Sequence, residues 1–239
     1  MTNAAPNLLA FDTSTEQLSV AVQRAADGRR LTHQGAGGAQ ASATLIPAVR
    51  RLLAEAGLTL RELDAIVFGR GPGAFTGLRT ACAVAQGLAY GAGRPVLPVD
   101  TLLAVAEQAR HAHGATRVLA VLDARMNEVY SAAYEWLGDA AGWVERAPVH
   151  VGPPEALALP QGDGWVLAGN AFAAYGDRLP AGPARLDALP TARALLRLAP
   201  ALLAAHRTVP ADQALPLYIR DKVAQTTAER EAQRATAGA

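Results

Sequence analysis

The sequence predicts an α/β protein of two similar lobes, each built on a mixed, partly parallel sheet flanked by helices. An apolar run ending in Asp, a polar turn and a second apolar run occur twice, the copies about 110 residues apart. Between the copies, helical and strand periodicities alternate, which is the pattern of an α/β chain. With 239 residues, 51% of them hydrophobic, the chain can form one large domain or two small lobes, and its core needs no disulfide or metal.

The first element is Leu8-Leu9-Ala10-Phe11-Asp12, followed by the turn-prone Thr13-Ser14-Thr15-Glu16-Gln17 and the apolar Leu18 to Val22. This reads as a β-hairpin with Asp12 at its turn. Leu45, Val49, Leu52, Leu53 and Ala56 then recur at helical spacing and Gly57 closes them. Thr44 is the expected cap, which puts Pro47 in the first turn, where its missing N–H costs least. Leu63 to Phe68 reads as a buried strand. Leu78, Ala81, Cys82, Ala85, Leu88 and Ala89 mark a second helix, Pro95 to Val99 a strand, and Thr101 is expected to cap a helix through Ala109. The second hairpin runs from Val118 to Asp123, through Ala124-Arg125-Met126-Asn127-Glu128, to Val129 to Tyr134. Trp165 to Ala168 reads as a strand, and Ala192 to His206 as an apolar helix kinked at Pro200. The expected division is an N-terminal lobe at 1–104, a C-terminal lobe at 105–221 and a polar tail at 222–239, disordered unless a partner orders it.

Lys and Arg total 22 against 21 Asp and Glu, a net charge of +1. A protein that neutralises several phosphates by itself carries a basic surplus or patch, so a role with RNA requires a partner. Cys82 is the sole cysteine, which excludes an internal disulfide and a Cys-x-x-Cys motif. No apolar stretch is long enough to span a bilayer, and Met1 to Pro6 has no basic start of a signal peptide. A soluble cytoplasmic protein is the expectation.

Two strings invite phosphate chemistry. The turn Asp12-Thr13-Ser14-Thr15 offers N–H groups and small hydroxyls, with an acid that could place a hydrated metal. The alternative is an Asx or Ser/Thr turn that only closes the hairpin. Gly69-Arg70-Gly71-Pro72-Gly73-Ala74 joins a strand to a helix and fits Gly-x-Gly-x-x-Ala, with Asp100 ending the next strand as a ribose-binding acid would. It lacks the Gly-Lys-Ser/Thr of a Walker loop. Its glycines equally suit close backbone packing. The readings that follow are an actin-like ATPase or kinase-like enzyme and a dinucleotide oxidoreductase. His33, His111, His113, His150 and His206 show no metal spacing, and Asp123 with Arg125 suits an exposed ion pair.

The string from Phe68 to Arg79 resembles the TsaB family. Leu9 to Glu16, Asp123 to Tyr130 and Pro216-Leu217-Tyr218-Ile219-Arg220 reinforce the resemblance, which covers nearly the whole chain. It implies an actin-like/RNase H-like fold and a subunit without catalytic residues of its own. Such a subunit pairs with the catalytic paralogue TsaD, helps recruit the ATPase TsaE and acts downstream of TsaC. The complex threonylcarbamoylates the adenosine beside the anticodon in tRNAs reading codons that begin with A. The resemblance implies no metal and no cofactor of its own, with ATP or ADP at the interface of the complex, tRNA bound only through the complex, and a homodimer when alone. Any nucleotide on this chain is expected at Asp12, Thr13, Ser14 and Thr15. The partner interface is expected on the first two helices and the loop before the second. Its residues are Leu45, Val49, Leu52, Gly73, Phe75, Thr76, Leu78, Arg79, Cys82 and Ala85. One departure is Gln40-Ala41-Ser42-Ala43, where family members often carry a His.

Overall fold

The computed structural model describes residues 5–220. In order they form β1 (Leu8–Asp12), β2 (Gln17–Gln23), β3 (Arg30–Ala36), α1 (Ala41–Ala56), β4 (Ala65–Gly71), α2 (Phe75–Ala92), β5 (Val96–Asp100) and α3 (Thr101–His113). The second half adds β6 (Arg117–Arg125), β7 (Glu128–Trp136), β8 (Trp143–Gly152), β9 (Val166–Gly169), the short α4 (Phe172–Tyr175), β10 (Arg185–Asp187) and α5 (Ala192–Ala204). The tail expected beyond residue 221 lies outside the described residues.

The two sheets have the same plan. Their strand orders are β3-β2-β1-β4-β5 and β10-β9-β6-β7-β8. In each, three consecutive antiparallel strands are followed by two that pair in parallel. The repeat read from the two Asp-ended runs is therefore a repeat of topology, with β6 in the place of β1. The edge strands β3 and β8 are absent from the sequence reading. Their exposed positions carry Arg30, Thr32, Gln34, Glu145 and Arg146, so no continuous apolar run marks them.

Helices cover both faces of the first sheet. Leu45, Val49 and Leu52 of α1 and Ala81, Cys82 and Ala85 of α2 pack against Phe11, Leu18, Val20 and Phe68. On the opposite face, Leu195, Leu196 and Ala199 of α5 lie against Leu8, Ala10, Val67 and Val99. The Ser19 hydroxyl accepts from the Ala192 N–H at 2.9 Å and fastens the start of α5 to β2. The second lobe thus does not coincide with residues 105–221. A sheet with two apolar faces needs cover on both, and the chain returns from the second lobe to supply it.

Between the sheets lies α3, which contributes Ala104 to one core and Val105, Ala106 and Ala109 to the other. Its buried Glu107 accepts from Arg110, Arg197 and Trp143 at 2.8 to 3.1 Å, tying α3, α5 and β8 together. Burial alone would raise its pKa, but these donors hold it below the usual value.

Two helix starts differ from the sequence reading. α1 begins at Ala41, one turn earlier than Thr44 predicts, and the Thr44 hydroxyl donates to the Gln40 carbonyl at 3.0 Å. Pro47 consequently sits inside the helix, on its exposed side. Asp100, not Thr101, flanks α3, because the Thr101 hydroxyl is engaged at the site below. No helix among the described residues is long and apolar enough to cross a membrane.

Candidate functional site

The Asp12 turn and the glycine-rich loop, two separate strings in the sequence, form one packed unit. Asp12 and Thr13 are fully buried, and Ser14 and Thr15 nearly so. The Ser14 N–H and hydroxyl donate to Asp12 Oδ1 at 2.8 and 2.6 Å. Thr101 donates to Asp12 Oδ2 at 3.4 Å and accepts the Gly71 N–H at 3.1 Å. Burial pushes the Asp12 carboxyl up to about 6, against the opposing pull of the Ser14 and Thr101 hydrogen bonds.

The loop closes directly onto this turn. The Thr13 hydroxyl donates to the Gly77 carbonyl at 2.7 Å, and the Ala74 N–H donates to the Ser14 carbonyl at 2.7 Å. A Cβ on Gly77 would stand 1.8 Å from the Thr13 carbonyl oxygen, and one on Gly69 would stand 1.7 Å from Asp12 Oδ2. These glycines permit close approach of backbone to backbone and carboxylate, the plainer of the two readings of the string. Asp100, the candidate ribose ligand, is paired instead with Arg70 at 2.5 Å. A phosphate cradle needs free donors pointing into space. Here the Asx-turn reading describes Asp12 and Ser14, and of the four turn residues only Ser14 and Thr15 reach the cleft.

That cleft, about 600 Å³, lies between the lobes. One wall is the loop and the start of α2, with Gly73, Phe75, Leu78 and Arg79. The other is the second hairpin, with Leu122, Asp123, Arg125, Met126 and Tyr130. Glu16 reaches across to Asn170 at 3.3 Å. A segment from Ala214 to Arg220 joins the walls. Ala214 accepts from Cys82 and Gln86, the Leu217 N–H donates to the Arg70 carbonyl, and Arg220 pairs with Glu128 of the second lobe. Burial raises the Cys82 thiol above its usual value, in keeping with a packed residue. Thr101, Asn170 and Tyr218 are participants that the sequence reading missed as site residues. Only Tyr218 left a signal, in the string near the end.

The expected interface residues divide. Leu45, Val49, Leu52, Leu78, Cys82 and Ala85 are buried within the chain's own core, which corrects their placement on a partner surface. Full burial of each large aliphatic side chain stabilises by roughly 1.5–3 kcal/mol, so the apolar stripe goes to the sheet of its own chain. Gly73 lies against Ser14. Phe75, Thr76 and Arg79 are exposed.

Fold and cleft together define a two-lobed protein of the actin-like class. A family model described as TsaD, tRNA N6-adenosine threonylcarbamoyltransferase, matches residues 33–163. The tRNA threonylcarbamoyladenosine biosynthesis protein TsaB of Haemophilus influenzae is 38% identical over 226 residues, covering 90% of this chain and 94% of the relative. Its counterpart in Escherichia coli is 37% identical over 91% of this chain and 96% of the relative. The solved structure of YeaZ from Pseudomonas aeruginosa superposes with a TM-score of 0.83 at 45% identity, over 89% of this chain and 99% of that one. The chain belongs to the TsaB family. That membership gives it a role in threonylcarbamoyladenosine biosynthesis.

Proposed function

We propose that this chain is a non-catalytic cytoplasmic subunit that binds and activates the catalytic paralogue TsaD and helps recruit TsaE. The assembled complex modifies N6 of the adenosine beside the anticodon in tRNAs reading codons that begin with A. The observation that carries this reading is the sealed Asp12 turn. Where an actin-like enzyme presents a turn to nucleotide phosphates, this chain fills the space with its own Gly69 to Gly77 loop, and the hydroxyls of Thr13 and Ser14 are bound internally. The same packing weighs against the ATPase or kinase-like reading, which needs the Thr13 and Ser14 hydroxyls free. ATP or ADP, in this proposal, sits at the joint interface of the complex, and tRNA meets the chain only there.

The partner face follows from what the core leaves exposed. Ile46 on α1 is 44% exposed and Tyr90 on α2 is 84% exposed. Between them α2 presents the small residues Thr76, Ala83 and Gly87. Small residues let helices approach closely, so these two adjacent helices can pair with two from a partner, or with a second copy when TsaD is absent. A Cβ at Gly87 meets nothing within 4 Å, so Gly87→Arg adds bulk and charge without disturbing the chain's own packing. Mixed with TsaD, the natural chain is expected to form an equimolar complex in light-scattering chromatography and to support tRNA modification. Gly87→Arg and Ile46→Asp should abolish both while leaving thermal unfolding unchanged. An intact complex with both variants would overturn the assignment.

A further inference from the structure

The two sheets differ in what covers one of their faces. Counted back from the two Asp residues, Leu119 and Val121 of β6 stand where Leu8 and Ala10 stand in β1. Leu8 and Ala10 lie under α5. Leu119 and Val121 are covered by the connection from β8 to β9 and the four-residue α4. That thinner cover leaves a pocket of about 290 Å³ between Leu119, β8 and the single turn at Pro154–Ala156. β8 shapes its wall. Ser131 pairs with His150 and Ala133 with Ala147, so β8 advances three residues where β7 advances two. The extra residue makes a bulge beside Pro148, which has no N–H to give the ladder. Residues three apart on a regular strand face opposite ways. The bulge turns Ala147 and His150 to the same side, and both line the pocket. Val149 and Val151 pack on the opposite side, in the core shared with α3.

Ser131, 6% exposed, also lines the pocket. The side-chain hydrogen bonds of β7 and β8 are made by Glu128, Glu135, Trp143 and Arg146. The Ser131 hydroxyl and the His150 imidazole thus have no hydrogen-bond partner among the described residues. Paired in register on one face, these two side chains are neighbours. A hydroxyl buried without a partner is costly, and a group from outside the chain can satisfy it. Gly152 leaves the imidazole its room, since a Cβ there would stand 3.0 Å from His150 Nε2.

We infer that this pocket binds a small aliphatic carboxylate, its oxygens on Ser131 and His150 and its carbon chain against Leu119, Ala147 and Leu157. The lining selects that class. No Asp, Glu, Lys or Arg borders the pocket, so a phosphate would find no cation and an amine no carboxylate. A carboxylate needs donors, and the serine hydroxyl and an imidazole N–H are both donors. No aromatic ring borders the pocket to stack a planar ligand, and the remaining lining is aliphatic. Its volume falls just below the roughly 300–1,000 Å³ of sites for drug-sized molecules, which sets the ligand at metabolite size. None of its residues borders the interlobe cleft or belongs to α1 or α2, so the site is separate from the pairing with TsaD.

The test titrates the full isolated chain with isovalerate, and in parallel with the neutral isovaleramide and the cationic isopentylamine, by ligand-observed NMR. Saturable binding of isovalerate is expected, with a dissociation constant near about 1 mM for a ligand of so few atoms. Ser131→Ala should weaken it about tenfold, as for one hydrogen bond to a charged group. His150→Ala should weaken it comparably. Ala147→Val, which narrows the pocket without touching a polar group, should weaken it as well. Ser131→Ala removes no hydrogen bond within the chain, so its thermal unfolding should match that of the natural chain. A lowered unfolding temperature would show a hydroxyl bound internally and overturn the inference. So would the absence of saturable isovalerate binding, an amide or amine that binds as tightly as the acid, or full affinity in the three variants.

Discussion

The two hairpin turns, one per lobe, occupy the same place in the same sheet plan and have opposite surroundings. Asp12 is buried under a glycine-rich loop, and its neighbours' hydroxyls are bound to its own carboxylate and to the loop. Asp123 stands at the cleft, where Tyr175 donates to it at 2.8 Å and Arg125 pairs with it at 3.0 Å. Its turn places three consecutive residues without glycine, Arg125, Met126 and Asn127, at φ of 61°, 55° and 59°. One turn has been closed by small residues, while the other is held open in a left-handed backbone by polar contacts across α4 and the final segment. A shared architecture thus preserves position without preserving chemistry, since it is the side chains around each Asp that decide what can approach it.

The contrast can be broken from either side. The largest effect is expected from Gly77→Ala. Its Cβ would meet backbone at 1.8 Å, which cannot move aside as a side chain can. A loss of about 3 kcal/mol or more in urea unfolding is expected, at the upper end for overpacking. A similar magnitude attends the Asp12 carboxyl. Its folded pKa of about 6 exceeds the unbound value of 3.8. The folded state therefore holds the proton more tightly, and Asp12's contribution to stability is complete below the unfolded pKa. That contribution is lost as pH rises from about 4 to about 6, on the order of 3 kcal/mol in all. Asp12→Asn removes this titration. Its stability relative to the natural chain should climb across that window and level off above it, as denaturation at a series of pH values would show.

On the second turn the expected effects are smaller. Tyr175→Phe removes the hydroxyl beside Asp123 and should cost about 1.5 kcal/mol, as for a hydrogen bond to a charged group. Burial, with the Asp123 hydrogen bond next, pushes that hydroxyl up to about 12, so the loss should be independent of pH near neutrality. Met126→Gly should stabilise by about 0.5 kcal/mol, because relief of the left-handed backbone slightly exceeds the added chain entropy. Thermal unfolding would register that gain. Arg220 also donates to Met126 Sδ at 3.3 Å, and a destabilised Met126→Gly would show instead that this contact outweighs the backbone cost.

Much of this was legible in the chain. The Asp-ended runs predicted both hairpins, and the spacings of Leu45 to Ala56 and Leu78 to Ala89 predicted α1 and α2, because buried faces impose a period. The edges β3 and β8 interleave exposed polar residues with half-buried ones, such as Thr32 and Gln34 in β3 and His150 between Val149 and Val151 in β8, and so offered no continuous apolar run. The inward turn of Leu45, Val49 and Leu78 was not legible either, since an apolar stripe has the same sequence whether it covers its own sheet or a partner's.

By itself the sequence determined the local elements, the twofold plan and, through its motif strings, the family, because backbone preference and apolar periodicity act over a few residues. Only the tertiary structure decided that Gly77 lies on Thr13, that Thr101 binds Asp12 and that α5 returns to the first sheet. These contacts join residues 64, 89 and 173 positions apart, as seen between Thr13 and Gly77, Asp12 and Thr101, and Ser19 and Ala192. What closes the first turn is the fit of one distant backbone against another, and no local spacing records it.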